Sequence, residues 1–476
     1  MAGSPIKADI CVIGGGSAGL SVAAGAAQLG ARTVLIEPAR MGGDCLNTGC
    51  VPSKSLLAAA KAAHAIKEAT RFGIHADALR IDFAAVHDYV RGVIATIAPH
   101  DSVERFVGLG CTVLQARAKF VDGRTVEAGG KRVRARRFVI ATGSRAAVPP
   151  IPGLDGVPYF TNETLFDNAT APDHLVIIGA GAIGCEMAQA HRRLGSQVTL
   201  LDVGTMLPKD DPEAVAIIRR AFSEEGIAVI ESASVLRIAR KTRGIGVTVA
   251  EAETEREIDG THLLIAAGRK PNVEDLGLDA AGVRFSAKGI EVDARLRTSN
   301  PHIYAIGDVA GGYQFTHLAS YHAGIVLRNA LFRLPSKVDL RAFPWVTYTD
   351  PELVQVGMTE TQARAAHGDA IRVLRATLAD NDRARTESAT RGFIKVMTSA
   401  RGRILGVTLV GHNAGELALP WILAIGQRLR IGTLATAIAA YPTLSEISKS
   451  AAGAFYTPTL FSRRTRALVR LLGWFG

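Results

Sequence analysis

The sequence is poor in cysteine, in aromatic residues and in long apolar runs. It has 5 cysteines in 476 residues and 6% aromatic residues. So few thiols exclude the disulfide framework of a secreted domain and indicate a reducing compartment. No uninterrupted apolar run is long enough to cross a bilayer. An apolar strand at 10–13 leaves no room for a signal peptide before it, and we therefore expect a cytoplasmic protein.

The sequence has fewer acidic than basic residues. It contains 44 aspartates and glutamates and 55 lysines and arginines, which gives a formal net charge of +11. This charge favours anionic ligands, but no nucleic-acid-binding motif accompanies it, so we expect no nucleic-acid partner. A 48% hydrophobic content predicts a large core and several domains. Cys11, Cys111 and Cys185 lie in apolar or glycine-rich surroundings and are expected to be buried. No resident metal site is predicted.

A strand, a glycine-rich turn, a helix and a second strand that ends in an acid occur twice. The glycines and acids are Gly14, Gly16, Gly19 and Glu37 in the first copy, and Gly179, Gly181, Gly184 and Asp202 in the second. Such glycines allow a tight turn, close approach of the backbone to a pyrophosphate, and packing of helix on strand, while the acid accepts hydrogen bonds from ribose hydroxyls. Two complete units predict an α/β protein with two Rossmann-like dinucleotide-binding domains.

Two further cysteines, Cys45 and Cys50, stand just after the first unit, with Gly43 in front and Lys54 behind. Five positions on a helix are about one and a half turns, close enough for a strained, reducible disulfide if the turn is distorted. A nearby helix N-terminus would stabilise a thiolate. The pair predicts a redox-active disulfide. Two buried thiols or a structural bridge are the alternatives.

The chain resembles the FAD-dependent pyridine nucleotide–disulfide oxidoreductases, the class that contains dihydrolipoamide dehydrogenase, glutathione reductase and mercuric reductase. The likeness rests on an ordered series of motifs, which are the two glycine units, the cysteine motif with Lys54, and segments 141–144, 267–272, 304–308, 349–352 and 441–446. The resemblance implies a homodimer. It places an FAD-binding domain at 1–150 and 272–343, an NAD(P)-binding domain at 151–271, an α+β dimerisation domain at 344–459 and a basic tail at 460–476.

The resemblance also implies a site. FAD, one tightly bound per subunit, would contact Gly14, Gly16, Gly19, Glu37, Gly43, Lys54, Thr142, Gly143, Ser144, Gly307 and Asp308. NAD would contact Gly179, Gly181, Gly184, Asp202 and Gly268. Cys45 would be the outer, exchanging thiol and Cys50 the thiol beside the flavin, with Lys54 and Glu186 paired near the flavin and the nicotinamide. Electrons would pass from reduced nicotinamide through FAD to the Cys45–Cys50 disulfide and on to the substrate.

The nucleotide preference is predicted from the end of the second Rossmann strand. Asp202 should accept hydrogen bonds from a free ribose 2′-hydroxyl and repel a 2′-phosphate. No arginine lies in the run from Asp202 to Thr205, and Arg192 and Arg193 on the preceding helix are expected to face solvent. The sequence therefore favours NAD(H) over NADP(H).

The C-terminal motif departs from the family pattern. In dihydrolipoamide dehydrogenase and glutathione reductase it starts with a histidine of the partner subunit, paired to a glutamate, that serves as acid and base for the thiols. Here the position is Tyr441, with Glu446 retained. Because tyrosine ordinarily titrates roughly 3.5 units above histidine, efficient lipoamide turnover is doubtful. Mercuric reductases resemble the chain at this position, but their N-terminal heavy-metal domain and C-terminal cysteine pair have no counterpart here. Tyr441 could also be merely a packed aromatic residue.

Three functions remain open at this point. The first is a dihydrolipoamide dehydrogenase-like transfer of electrons between NAD(H) and a small disulfide or dithiol. The second is reduction of a soft metal or a quinone, and the third is a weakly catalytic docking subunit of a lipoyl or membrane complex. In the tail, Leu468, Leu471, Leu472 and Phe475 would share one helix face, opposite Arg463, Arg466 and Arg470. This pattern is typical of a helix on an anionic membrane, or of one docked on its own domain or on the dimer mate.

Overall fold

The structure is a computed structural model that describes residues 4–251 and 254–475. The chain divides into two compact units, Met1–Val203 with Ser232–Val338, and Gly204–Glu231 with Asp339–Gly476. The helices, in chain order, are α1 Ser17–Gln28, α2 Gly43–Asn47, α3 Cys50–Glu68, α4 Phe83–Ile97, α5 Val103–Gly108, α6 Ala182–Arg193, α7 Pro212–Glu225, α8 Thr316–Ala330, α9 Glu360–His367, α10 Asp382–Thr386, α11 Leu419–Gly426, α12 Ile431–Ala435, α13 Glu446–Ala454, α14 Thr457–Leu460 and α15 Arg463–Leu472.

Strands in both units are mostly short and joined by turns. They are β1 Ile6–Ile13, β2 Thr33–Ile36, β3 Thr112–Leu114, β4 Ala118–Asp122, β5 Thr125–Ala128, β6 Lys131–Ile140, β7 Ser144–Ala146, β8 His174–Ile178, β9 Gln197–Leu201, β10 Ala228–Ile230, β11 Ala233–Arg240, β12 Ile245–Glu251, β13 Thr254–Gly260, β14 His262–Ile265, β15 Arg269–Pro271, β16 Phe285–Ser286, β17 Gly289–Ile290, β18 Ile303–Ala305, β19 Pro344–Thr347, β20 Glu352–Gly357, β21 Ile371–Thr377, β22 Phe393–Ser399 and β23 Ile404–Gly411.

The first unit contains a parallel sheet in the order β3-β2-β1-β6, with β18 also parallel to β6. The last residue of β1, Ile13, lies opposite Ile36 of β2 and Ile140 of β6. Residues 10–13 are all buried because both faces of this sheet are covered, which is why the strand reads as a continuous apolar run. The carboxyl ends of β1, β2 and β6 therefore meet at one edge, where the first glycine turn begins.

A second parallel sheet in the same unit has β8 between β9 and β14. Its apolar residues 175–178 are buried in the same manner, and the second glycine turn follows β8. An antiparallel sheet of three strands, β11-β12-β13, follows in sequence. The two glycine units thus have the strand, turn and helix order that the sequence predicts.

The second unit is built on a five-stranded antiparallel sheet in the order β19-β20-β23-β22-β21. Helices α11 and α13 contribute Trp421 and Ile447 to its core, which also contains Val396 and Leu409 from the sheet. The α+β character expected from about residue 344 onward is therefore observed. The segment 204–231, which includes α7, belongs to this unit.

Within the described residues no helix is both long enough and apolar enough to cross a bilayer.

Candidate functional site

The first glycine turn accepts no side chain at its first or last glycine. Gly14 has φ +113°, and a Cβ there would lie 2.2 Å from the carbonyl oxygen of Ala141. A Cβ on Gly19 would lie 1.9 Å from the carbonyl oxygen of Gly14. Only glycine can satisfy both the left-handed backbone and these approaches.

The second turn repeats this geometry. Gly179 has φ +112°, and a Cβ there would lie 2.3 Å from the carbonyl oxygen of Ala266, while a Cβ on Gly184 would lie 1.8 Å from the carbonyl oxygen of Gly179. A Cβ on the middle glycine, Gly181, would meet no atom within 4 Å. Open backbone at the start of α6 fits the close approach of a pyrophosphate to a helix N-terminus.

The two predicted acids close their turns in the same way. One carboxylate oxygen of Glu37 accepts a hydrogen bond from the amide of Gly15 at 2.6 Å. An oxygen of Asp202 accepts from the amide of Ala180 at 2.6 Å. Both acids therefore lie at the mouth of a nucleotide turn, where ribose hydroxyls are expected in this fold.

The cysteine motif is not a continuous helix. Cys45 lies in α2, which ends at Asn47, and Cys50 is the first residue of α3. Thr48 and Gly49 interrupt the helical backbone between them. This break is the distortion that a bridge between these positions requires, and it places Cys50 at a new helix N-terminus.

Cys45 is half-buried and Cys50 is exposed, and both are thiols in the structure. The hydrogen bond from Cys45 lowers the pKa of Cys50 to about 6, with the Thr316 hydroxyl and the Lys54 charge acting in the same direction. The same contact with Cys50 raises the pKa of Cys45. Cys50 is therefore the thiolate of the pair at neutral pH, as expected for a thiol at a helix N-terminus beside a lysine.

Two hydroxyl residues beside the thiols escaped the sequence analysis. The hydroxyl oxygen of Thr316 lies 3.2 Å from the sulfur of Cys50, and Ser17 forms a hydrogen bond with Cys45. Ser17 and Thr316 are the first residues of α1 and α8, so three helix N-termini converge on the pair. Thr316 is 266 positions from Cys50, and no local pattern links them.

Lys54 and Glu186 form the ion pair that the family resemblance implies. The lysine Nζ lies 2.7 Å from a carboxylate oxygen of Glu186, with exposed side-chain fractions of 39% and 5%. The pair joins α3 to α6, and so connects the helix of the cysteine motif to the helix of the second glycine turn. The buried carboxylate requires such a partner.

The predicted flavin contacts near the end of β6 form one polar cluster. The Ser144 hydroxyl donates to Asp308 at 2.5 Å, and burial raises the pKa of the Asp308 carboxyl. Arg269 lies within 3.6 Å of Asp308 and 3.2 Å of Asp44. Thr142 donates its hydroxyl hydrogen to the carbonyl oxygen of Asn272 at 2.8 Å.

Several glycines lie around this polar cluster. Gly143, Gly268 and Gly307 all have positive φ, and a Cβ on Gly43 would lie 2.7 Å from the Cα of Gly16. The first glycine turn and the cysteine motif are thus in close backbone approach. The amide of Gly307 also donates to the imidazole of His322, whose pKa is lowered by burial to about 4. The ring is therefore neutral and can accept this bond.

One expectation about the second nucleotide turn is wrong. Arg193 does not face solvent, since it is only 5% exposed. Arg192 is half-buried, and its guanidinium donates to the carbonyl oxygen of Ser196 at 3.3 Å. Helix α3 packs on α6 in addition to the strands β8 and β9, so few positions of α6 remain exposed, and a long arginine side chain can bury its stem there.

Tyr441 and Glu446 do not bond to each other. Tyr441 is 71% exposed, and its hydroxyl donates to a carboxylate oxygen of Asp382 at 3.1 Å. This contact raises the pKa of Tyr441 above its ordinary value. Glu446 instead accepts from the amide of Thr443 at 3.5 Å. Within its own subunit Tyr441 is therefore not a packed core residue, and it cannot take a proton near neutral pH.

The buried positions of Cys11, Cys111 and Cys185 are confirmed. Among residues 4–251 and 254–475, no group of three or more His, Cys, Asp or Glu side chains is arranged to hold a metal ion.

Most of the chain matches the sequence models of one protein family. Residues 8–323 match the sequence model of the pyridine nucleotide-disulphide oxidoreductases, and residues 343–452 match that of their dimerisation domain. The chain is similar to mercuric reductase of Bacillus cereus, with 36% identity over 92% of this chain and 70% of that protein. It is 35% identical to mercuric reductase of Streptomyces lividans over 94% of this chain and 96% of that protein.

Dihydrolipoyl dehydrogenase of Geobacillus stearothermophilus is 34% identical, over 94% of this chain and 96% of the relative. Among solved structures, a Cu(II) complex of the HOCl-induced flavoprotein disulfide reductase RclA from Escherichia coli aligns with a TM-score of 0.83, 29% identity and coverage of 92% and 98%. LpdA from Mycobacterium tuberculosis aligns with a TM-score of 0.86, 27% identity and coverage of 94% and 99%. The chain therefore belongs to the pyridine nucleotide-disulphide oxidoreductase family and is an FAD-dependent NAD(P)H oxidoreductase with a dimerisation domain.

Proposed function

We propose that Cys45 and Cys50 are the redox pair of this enzyme and that they deliver electrons to a thiol-reactive acceptor. The observation that carries this is the low pKa of Cys50, held at the N-terminus of α3 in hydrogen-bond contact with Cys45. A thiolate that can attack a disulfide sulfur is the minimum requirement for exchange chemistry. FAD, when bound, supplies the two-electron relay between reduced nicotinamide and these sulfurs.

The residues around the pair have distinct tasks in this scheme. The glycine turns bind the two nucleotides, with Glu37 and Asp202 at the adenosine ribose of each. Lys54 fixes its charge between Glu186 and Cys50, where it favours the thiolate form of Cys50. Ser144 and Asp308 provide polar groups for the flavin's linking chain.

Exchange with a disulfide acceptor needs only the two cysteines of this chain. Cys45 gives its proton to the Cys50 thiolate and attacks one sulfur of the acceptor, which forms a mixed disulfide and releases the first acceptor thiolate; Cys50 then gives this proton up to solvent. The Cys50 thiolate attacks the sulfur of Cys45, which releases the second acceptor thiolate and restores the Cys45–Cys50 disulfide. The acceptor gains two electrons, and its thiolates take their protons from water. Reduction by NAD(H) returns the pair to the dithiol.

Tyr441 favours a soft metal ion as a second candidate acceptor. A group that holds its proton at neutral pH cannot serve as the thiol base, and thiolate ligation of a soft metal needs no such base. Mercuric reductases are among the relatives, and one structural neighbour is a Cu(II) complex. In this variant the acceptor ion binds to the sulfurs of Cys45 and Cys50 and accepts the two electrons.

We propose NAD(H) as the nucleotide. Asp202 already accepts the turn amide at 2.6 Å, and a 2′-phosphate beside it would meet like charge. Buried Arg193 lies on the helix and not beside the acid in sequence. Higher kcat/KM with NADH than with NADPH would support this preference, and equal values would contradict it.

The experiment for the redox pair measures NADH oxidation with lipoamide, glutathione disulfide, Hg(II) and a quinone. Cys45→Ser and Cys50→Ser should each abolish turnover of the disulfides and of Hg(II), with bound flavin retained. Activity that survives both substitutions would contradict the dithiol scheme and favour direct reduction by the flavin.

Tyr441→His should raise lipoamide turnover by about 10²-fold, the scale of general acid–base catalysis. No gain would remove the argument for the missing base.

We further propose that the enzyme works in the cytoplasm and that its C-terminal tail makes a peripheral membrane contact. The support for this contact is the exposure of the apolar side chains on α15.

A further inference from the structure

The chain ends in an amphipathic helix that lies beyond the region matched by the dimerisation-domain model, which ends at residue 452. Leu468 and Leu472 on α15 are 52% and 57% exposed, and Phe475 just after it is 81% exposed. No side chain in residues 457–475 is buried. Apolar residues so exposed gain little core packing from the described residues, and the apolar face of the helix is left largely open.

The opposite face carries charge of a single sign. Arg463, Arg466 and Arg470 lie on it, and no acidic residue follows Glu446 in the sequence. Within the described tail none of its arginines forms an ion pair. Arg464 does not lie on this charged face. It lies near the apolar face at the start of the helix, where its long stem can carry the guanidinium out to water.

We infer that α15 lies in the headgroup layer of an anionic bilayer, with its leucines at the acyl boundary and Arg463, Arg466 and Arg470 against lipid phosphates. The inference rests on the membrane contact proposed above and adds lipid charge as its determinant. Basic residues close to an anionic leaflet are attracted by its surface potential, and the tail offers only positive charge. Trp474 and Phe475, both more than 80% exposed, are the aromatic types favoured at this layer.

A second copy of the chain is the weaker occupant. The helix of 10 residues is about 15 Å long, and its apolar face comprises four large side chains. By itself this face is well below the area of roughly 800 Å² per partner in a stable interface, so it could only extend an interface made by the dimerisation domain. A bilayer has no such threshold, because lipid contact and charge act along the whole helix.

The test uses the full-length FAD-loaded enzyme and flotation with two kinds of vesicle, pure phosphatidylcholine and phosphatidylcholine with phosphatidylglycerol. The enzyme should float with the anionic vesicles, and added salt should release it. Replacing two tail arginines, by Arg466→Gln with Arg470→Gln, should weaken partition by about 30-fold at low salt. A control with Arg243→Gln and Arg401→Gln, both exposed and outside the tail, removes the same charge and should change partition little.

The outcomes separate the claims. Equal flotation with both vesicles would overturn the role of lipid charge but leave the membrane contact. No flotation with either would overturn both. Truncation after Thr459 that lowers the oligomeric state by light scattering would assign the helix to the partner subunit instead. NADH oxidation by the truncated enzyme reports independently on the oxidoreductase, so its loss would not be mistaken for a membrane effect.

Discussion

At the scale of single residues, the site depends on Thr316, which bonds to Cys50 across 266 positions of sequence. Thr316→Val keeps the shape of the side chain but removes its hydroxyl. The thiolate of Cys50 should then be lost at higher pH than in the native enzyme, where its pKa is about 6. We expect the midpoint to rise by about 1 pH unit. Because the pKa is depressed in the native fold, thiolate stabilisation exists above this midpoint and disappears as pH falls through it.

The measurement is a pH titration of the long-wavelength absorbance of a thiolate against oxidised flavin, after two-electron reduction of the holoenzyme. Thr316→Ser should restore the native midpoint, since it restores the donor. Thr390→Val, at an exposed position, should leave it unchanged. Cys45, Asp44 and Lys54 also act on Cys50 and are constant in all variants. A midpoint unaffected by Thr316→Val would show that the hydroxyl does not set the thiolate.

At the scale of elements, the glycine turns decide whether a nucleotide is retained. Gly14→Ala drives a Cβ into the carbonyl of Ala141 at 2.2 Å, and the backbone can relieve this only by opening the turn. A cost of about 2 kcal/mol would lower FAD affinity by about 30-fold, measured as flavin absorbance per protein. Gly30→Ala is the matched control, because Gly30 also has positive φ but has no neighbour within 4 Å. Equal flavin loss in both variants would contradict the steric explanation.

The contacts within each glycine turn could be predicted from the sequence, whereas contacts between distant segments could not. The spacing of Gly14, Gly19 and Glu37 predicts their contacts because all three lie within one strand–helix–strand unit. The Lys54–Glu186 pair follows only from the family resemblance, since it joins two units. Thr316 and His322 carry no sequence signal, because their contacts with Cys50 and Gly307 depend on how α8 packs in the fold. Arg193 was misplaced for the same kind of reason: packing, not helix periodicity, decides which side of α6 is covered.

At the scale of the molecule, the second unit holds the segment 204–231 by a buried charge cluster. Lys395 in β22 is 2% exposed and lies 2.7 Å from Asp211, which is equally buried, and 2.7 Å from Glu213. Lys395→Ala would leave the Asp211 charge uncompensated and should lower the free energy of unfolding by about 3–5 kcal/mol, measured by urea denaturation of the holoenzyme. Replacing both partners, with Lys395→Met and Asp211→Leu, should recover much of the loss. A single-variant effect below about 1 kcal/mol would contradict the role of the pair.

The backbone contact between Gly16 and Gly43 has a further consequence for how this chemistry can be inherited. A Cβ on Gly43 would lie only 2.7 Å from the Cα of Gly16, so a side chain at Gly43 would displace the backbone of the first glycine turn. The first glycine turn and the cysteine motif are therefore expected to be inherited together, as one segment from Gly14 to Cys50. Recombination between Gly16 and Gly43 would therefore pair a glycine turn with a cysteine motif whose backbones have not been matched to each other.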